Sequence, residues 1–178
     1  MHITETAIPG LLIIDLDVHG DNRGWFKENW QREKLTSLAP ELASFQPVQN
    51  NISFNHAGAT RGLHAEPWDK LISVAQGKIF GAWCDLREGS ESFGEVITHE
   101  IGPETAVFVP RGVANGFQAL EETSYCYLVN EHWSAEARYA AVNLDIVDWP
   151  MVPTEVSEKD KQHPSLEEVS PMPARRIL

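Results

Sequence analysis

Apolar positions along this chain fall in short runs separated by clusters of Gly, Pro and Asn, a pattern that predicts strands rather than helices. The segment GLLIIDLDVHGDNRGWF, residues 10–26, is an apolar, β-branched run that ends at a turn of Gly20, Asp21 and Asn22. Residues 27–45, KENWQREKLTSLAPELASF, carry a weak helical period through Trp30, Leu35 and Leu38, and Pro40 closes it. The runs VQNNISFN, KLISVAQGKIFGAWCDL, EVITHEI, AVFVP, NGFQAL and SYCYLVNEHW then follow as strands. Within the second, Gln76 and Gly77 predict a tight turn joining two strands. Many short strands at this spacing predict an all-β sandwich or barrel. From Pro150 the chain turns proline-rich and charged, so residues 1–149 read as the barrel domain. Residues 150–178 read as an extension that wraps the barrel or leaves it.

Composition narrows the function classes. At 178 residues the chain is long enough for one domain with a real core, and its net charge is −12. Such an acidic chain without a basic stripe predicts no nucleic-acid partner. No apolar run approaches membrane-spanning length and residues 1–10 carry no basic-then-apolar leader, which predicts a cytoplasmic protein with no membrane partner. Cys84 and Cys126 both sit inside apolar runs and read as buried free thiols. Phosphate-binding loops of the G-x-G-x-x-G and G-x-x-x-x-G-K-[ST] types are absent, as is a G-x-S-x-G elbow.

The densest chemistry lies in RGLHAEPWDK, residues 61–70, where Arg61, His64, Glu66 and Lys70 adjoin the core run LISVA. Charged groups beside a core strand are costly unless paired, so they are either rim residues or the lining of a cavity. Metal-binding jelly rolls use His-x-His, a carboxylate and a later His. Here Glu66 occupies the second position and Asn115, in PRGVANGF, the last, so no metal is expected. The remaining chemistry is acid–base. A His takes a proton near neutral pH, a carboxylate fixes its tautomer, and a Lys steadies an oxyanion.

The segments DNRGWFKE, VQNN, RGLHAEPWDKLISVAQGKIFGAWCDLREGSESFGE, VFVPRGVANGFQAL and SEKDKQHPSLEE together resemble the dTDP-4-dehydrorhamnose 3,5-epimerase family, in the family's order and over nearly the whole chain. The resemblance implies a cupin-like jelly-roll homodimer that uses no cofactor or metal. Its substrate would be a dTDP-linked 4-keto-6-deoxyhexose, inverted at C3 and C5. It implies His64 as the base for both protons alpha to the C4 ketone, Asp160 as its carboxylate partner and Lys70 as the group beside the enolate oxygen. Arg23 and Arg61 resemble the diphosphate ligands, and Glu28, Gln49 and Asn51 the nucleotide and sugar contacts. Asn115, Trp133 and Lys159 complete the expected substrate-binding set.

The chain departs from the family pattern at four places. Trp133 replaces the Tyr that serves as the second acid, and Asn115 replaces a His. The stretch between His64 and Lys70 is shorter than usual. The end, MPARRIL, resembles the first strand of a reductase that some relatives carry fused to the epimerase. If SYCYLVNEHW is one strand, Tyr125, Tyr127 and Trp133 share a face, with Tyr127 roughly 20 Å from Trp133. Tyr127 then reaches the position of the missing Tyr only if the strand bends. His132 reaches the cavity only through a bulge. The second proton is accordingly expected from a bound water or from His132. The missing Tyr leaves open a single-carbon epimerase, a keto-isomerase, or a non-catalytic sugar-nucleotide-binding module.

Overall fold

The computed structural model describes residues 1–173. Its strands are β1 (His2–Glu5), β2 (Leu12–Asp15), β3 (Val18–Asp21), β4 (Gly24–Lys27), β5 (Gln49–Asn55), β6 (Thr60–Ala65), β7 (Lys70–Gln76), β8 (Ile79–Asp85), β9 (Val96–Ile101), β10 (Thr105–Val109), β11 (Val113–Ala119), β12 (Thr123–Val129) and β13 (Ala140–Ala141). One helix, α1 (Arg32–Leu38), and short 3-10 turns at Pro40–Ser44, Leu144–Ile146 and Asp160–Gln162 complete the described elements. A six-stranded sheet runs β1-β2-β10-β7-β12-β5 and a five-stranded sheet β13-β6-β11-β8-β9, with β3-β4 as a separate ribbon. The strand pairings are antiparallel.

The two sheets face each other over a core that includes Ile13, Ile72, Val74, Trp83, Val107 and Phe117. A second apolar layer covers the outside of the six-stranded sheet, where Leu35, Leu42 and Phe45 pack on Leu12, Ile14, Leu71 and Phe108. A third covers the five-stranded sheet, where Val142, Val147, Val169 and Met172 pack on Leu63, Ala82 and Cys84. Central strands are therefore buried on both faces. That is why β2 and β7 read as continuous apolar runs instead of alternating ones.

Helix α1 begins where the Gln31 side-chain oxygen accepts the Lys34 N–H at 2.7 Å, and ends at Ala39 before Pro40. The tight turn predicted at Gln76 and Gly77 does join two strands, β7 and β8, but not as a hairpin. β7 and β8 do not pair, because β7 lies in the six-stranded sheet and β8 in the five-stranded one. Gly77 has φ +84°, and a Cβ there would stand 2.3 Å from the Glu122 carbonyl oxygen, so this is a crowded corner between sheets.

Residues 150–173 run back over the domain. A bridge joins Ala59 to Glu155, another joins Arg87 to Met172, and Val169 and Met172 are buried. All of MPARRIL after Pro173 lies outside the described residues.

Candidate active site

At one end of the sandwich a cavity of about 1100 Å³ opens between the sheets. Strand β5 contributes Asn51, β6 Arg61 and His64, β7 Lys70, β11 Asn115 and β12 Tyr125 and Tyr127. The C-terminal segment closes one side with Lys159, Asp160 and His163.

His64 and Asp160 are 96 residues apart in the chain and meet through a 2.8 Å contact between His64 Nε2 and Asp160 Oδ1. The Gly62 N–H donates to Asp160 Oδ2 at 3.2 Å. A Cβ on Gly62, at φ +120°, would stand 2.5 Å from the Gly116 Cα, so only glycine lets β6 and β11 approach this closely. Burial alone would raise the Asp160 carboxyl. The hydrogen bond and charge of His64, with the Gly62 N–H, outweigh it and hold the carboxyl below its usual value. The ionised carboxylate accepts from Nε2–H and leaves Nδ1 as the basic nitrogen of the ring.

His163 packs edge-on against His64, with ring centroids 5.1 Å apart. Burial and the charge of His64 lower its pKa. Lys70 is nearly buried, paired with Glu66 four residues earlier, with its ammonium 5.0 Å above the Tyr127 ring. Arg61 donates from Nε to Asn55 at 2.8 Å while its side chain lines the cavity. Asn115 donates to the Tyr125 hydroxyl at 3.3 Å. Burial raises the pKa of Tyr125 and Tyr127, so both phenols keep their protons. Arg61, Lys70 and Lys159 line the cavity together with Glu66, Glu155 and Asp160; Lys70 is paired with Glu66, and Arg61 and Lys159 are the cations suited to a diphosphate.

Gln49 stands behind this wall, donating to Asn51 at 2.9 Å and accepting the Trp133 N–H at 3.2 Å. Trp133 lines the mouth and is 65% exposed. The shared face expected for Tyr125, Tyr127 and Trp133 is observed as a shared cavity, but by a different route. Strand β12 stops at Val129 and the chain bends, so the straight-strand separation of Tyr127 from Trp133 does not apply. His132 is exposed and is not among the lining residues, because the alternation that would aim it ends with the strand. Tyr139, which sequence reasoning did not single out, lines the cavity and donates its hydroxyl to the Ser134 carbonyl at 2.9 Å. It arrives on the turn before β13, beside β6.

Arg23 and Glu28 do not line this chain's own cavity. Arg23 pairs with Asp21 on the exposed β3–β4 ribbon and Glu28 pairs with Lys34. The positions that a jelly-roll metal site would use are already engaged, Glu66 by Lys70 and Asn115 by Tyr125.

Comparison with known proteins gives a consistent picture. The family described as dTDP-4-dehydrorhamnose 3,5-epimerase matches residues 5–168. A protein RmlC homolog of Streptococcus pyogenes serotype M6 is 53% identical over 93% of this chain and 89% of its own length. A dTDP-4-dehydrorhamnose 3,5-epimerase of Pseudomonas aeruginosa is 32% identical over 91% of this chain and 94% of its own. Among solved structures, RmlC from Streptococcus suis in complex with dTDP-D-xylose superposes with a TM-score of 0.90 at 48% identity, covering 97% of this chain and 95% of that one. The dTDP-6-deoxy-D-glucose-3,5-epimerase RmlC from Legionella pneumophila, in complex with dTDP-4-keto-L-rhamnose, superposes with a TM-score of 0.85 at 29% identity, covering 94% and 93%. The all-β sandwich is thus the cupin-like jelly roll of these epimerases, and the chain belongs to the dTDP-4-dehydrorhamnose 3,5-epimerase family.

Proposed function

We propose that this chain is an isomerase that inverts C3 and C5 of a dTDP-linked 4-keto-6-deoxyhexose on the route to dTDP-L-rhamnose. The observation that carries the reading is the His64–Asp160 pair at 2.8 Å inside a cavity that Lys70, Arg61 and Lys159 also line. A carbon-bound proton alpha to a ketone is acidic only when the enolate is stabilised. His64 Nδ1 takes that proton, Asp160 supports the imidazolium, and Lys70 steadies the enolate oxygen. Arg61 and Lys159 hold the diphosphate. Trp133 packs on the sugar or the base at the mouth. The proton returned to the opposite face comes from a water bound among the cavity tyrosines.

We further infer an isologous homodimer. The β3–β4 ribbon exposes Trp25 and Phe26, which are 48% and 65% accessible, and Lys27 ties its base to the Val74 and Pro103 carbonyls at 2.8 Å each. A ribbon held at its root with an apolar outer face suits a second copy of the chain. On this reading Arg23 and Glu28 serve the partner's cavity. The unpaired Cys84 and Cys126 accord with work in the cytoplasm.

Deuterium wash-in from solvent tests the reading. A 3,5-epimerase incorporates label at both C3 and C5. Label at one carbon makes the chain a single-carbon enzyme, and none at either makes it a binding module.

A further inference from the structure

The buried imidazole of His163 plays no part in that chemistry, yet its surroundings are unusual. Its side chain is 7% exposed, and its ring nitrogens make no hydrogen bond of good geometry, the Gly62 backbone being a polar group that acts on the ring. A buried polar group left in this way costs stability, so an unpaired one calls for a ligand or a function. His163 Nε2 lies 3.7 Å from Asp160 Oδ1, the oxygen that also meets His64 Nε2 at 2.8 Å. Ligand atoms of all three residues lie within 4.8 Å of one another, and all three residues line the cavity.

We propose that His64, Asp160 and His163 form a binding site for a zinc-type transition-metal ion, and that filling it silences His64 as a base. Around a tetrahedral zinc with bonds near 2.05 Å, ligand atoms stand roughly 3.3 Å apart. Two of the three edges, at 2.8 and 3.7 Å, bracket that spacing, and the third lies within 4.8 Å. Two imidazoles and one carboxylate suit zinc and exclude magnesium and calcium, which want oxygen. Water from the cavity supplies the fourth ligand. The site differs from the one that metal-binding jelly rolls use, whose positions Glu66 and Asn115 are engaged elsewhere.

The consequence follows from the imidazole tautomer. In the metal-free protein the His64 proton is on Nε2, toward Asp160, and Nδ1 is basic. A metal ion on Nε2 displaces that proton, and the neutral ring then carries its proton on Nδ1. No bond to the substrate is blocked, but the nitrogen that should accept a proton already holds one. Inhibition should therefore lower kcat and leave KM for the sugar nucleotide little changed. This half of the proposal rests on the epimerase reading, whereas the binding half does not.

The test uses the full chain after chelation. Cobalt(II), the spectroscopic surrogate for zinc, should bind one ion per chain and give the visible bands of four-coordinate cobalt without any substrate present. Zinc should depress kcat by roughly tenfold or more, reversibly on chelation. In His163→Leu and His163→Gln, each compared with its own zinc-free rate, the zinc needed should rise. Loss of an outer-shell partner alone costs roughly 10- to 100-fold in metal affinity, and loss of a ligand should cost no less. Absence of the cobalt bands, or His163 variants as zinc-sensitive as the parent, would overturn the site. Bands that require His163, with zinc leaving kcat untouched, would overturn the silencing. Such bands in a protein that never exchanges substrate protons would uphold the site and remove the epimerase reading.

Discussion

Single residues divide the proposed chemistry in ways that turnover can read. Replacing His64 by Asn removes the nitrogen that accepts the carbon-bound proton, and kcat should fall by about 10²- to 10⁴-fold, the usual contribution of a positioned base. Asp160→Asn keeps the imidazole but loses its anionic partner, so its loss should be smaller. Nucleotide binding, read by titration, should barely change in either, and near-normal exchange in His64→Asn would remove the base. The exposed position of His132 predicts that His132→Ala leaves wash-in and product formation intact. Trp133→Tyr restores a phenol at the cavity mouth and should speed exchange at C5; if neither substitution changes exchange, Trp133 has no part in proton delivery. His64, Lys70 and Asn115 were legible in the sequence because each stands in a short motif on or beside one strand. Asp160 was legible only through resemblance, since nothing local ties it to a residue 96 positions earlier. Tyr139 and His163 were missed. Both reach the cavity on irregular segments, where no side-chain period exists to say which way they point.

At the level of elements, the match to DLREGSESFGE has a structural cause. Asp85 ends β8 fully buried, and its carboxylate accepts Arg87 Nη2 at 2.7 Å, Ser90 Oγ at 2.7 Å and Ser92 Oγ at 2.6 Å. Gly94 N–H donates to the Asp85 carbonyl at 2.8 Å, which closes the loop onto the strand that feeds β9. Burial opposes the charge, but these donors outweigh it and bring the carboxyl from 3.8 to about 2. A pKa lowered on folding means that the native state binds the proton less well than the unfolded chain. The stabilisation, about 2 kcal/mol, is therefore present above the ordinary value and is lost as pH falls toward the folded one. Denaturant unfolding of Asp85→Asn should show a deficit of this order at neutral pH that narrows below about pH 4. A deficit that stays constant with pH would mean that shape, not charge, holds the loop. The strands themselves were mostly readable, since apolar runs bounded by Gly and Pro survive burial on either face. Which sheet each strand joins was not: the turn at Gly77 was legible, but sequence spacing does not say when a turn crosses between layers.

The whole molecule raises the question of where Arg23 acts. Resemblance assigns it to the diphosphate, while the structure sets it on an exposed ribbon away from this chain's own cavity. Both hold if the ribbon crosses to a second copy, and sedimentation at micromolar concentration should then find a dimer that Trp25→Glu with Phe26→Glu weakens. Loss of a charge-assisted contact worth about 1.5–3 kcal/mol predicts roughly a 10- to 100-fold rise in KM for Arg23→Ala. Mixing separates crossed sites from self-contained ones. In a dimer of one His64→Asn chain and one Arg23→Ala chain, crossed ribbons put both defects in one cavity and leave the other with an intact His64 and an intact Arg23. Random re-pairing of equal amounts makes about half the dimers mixed, each with one sound cavity of two, so activity should recover to about a quarter of the parent's. Self-contained cavities would each keep one defect, and mixing would restore nothing. Recovery on mixing would show that the dimer is the smallest unit able to turn over substrate, and its absence would return Arg23 to the surface pair it forms with Asp21.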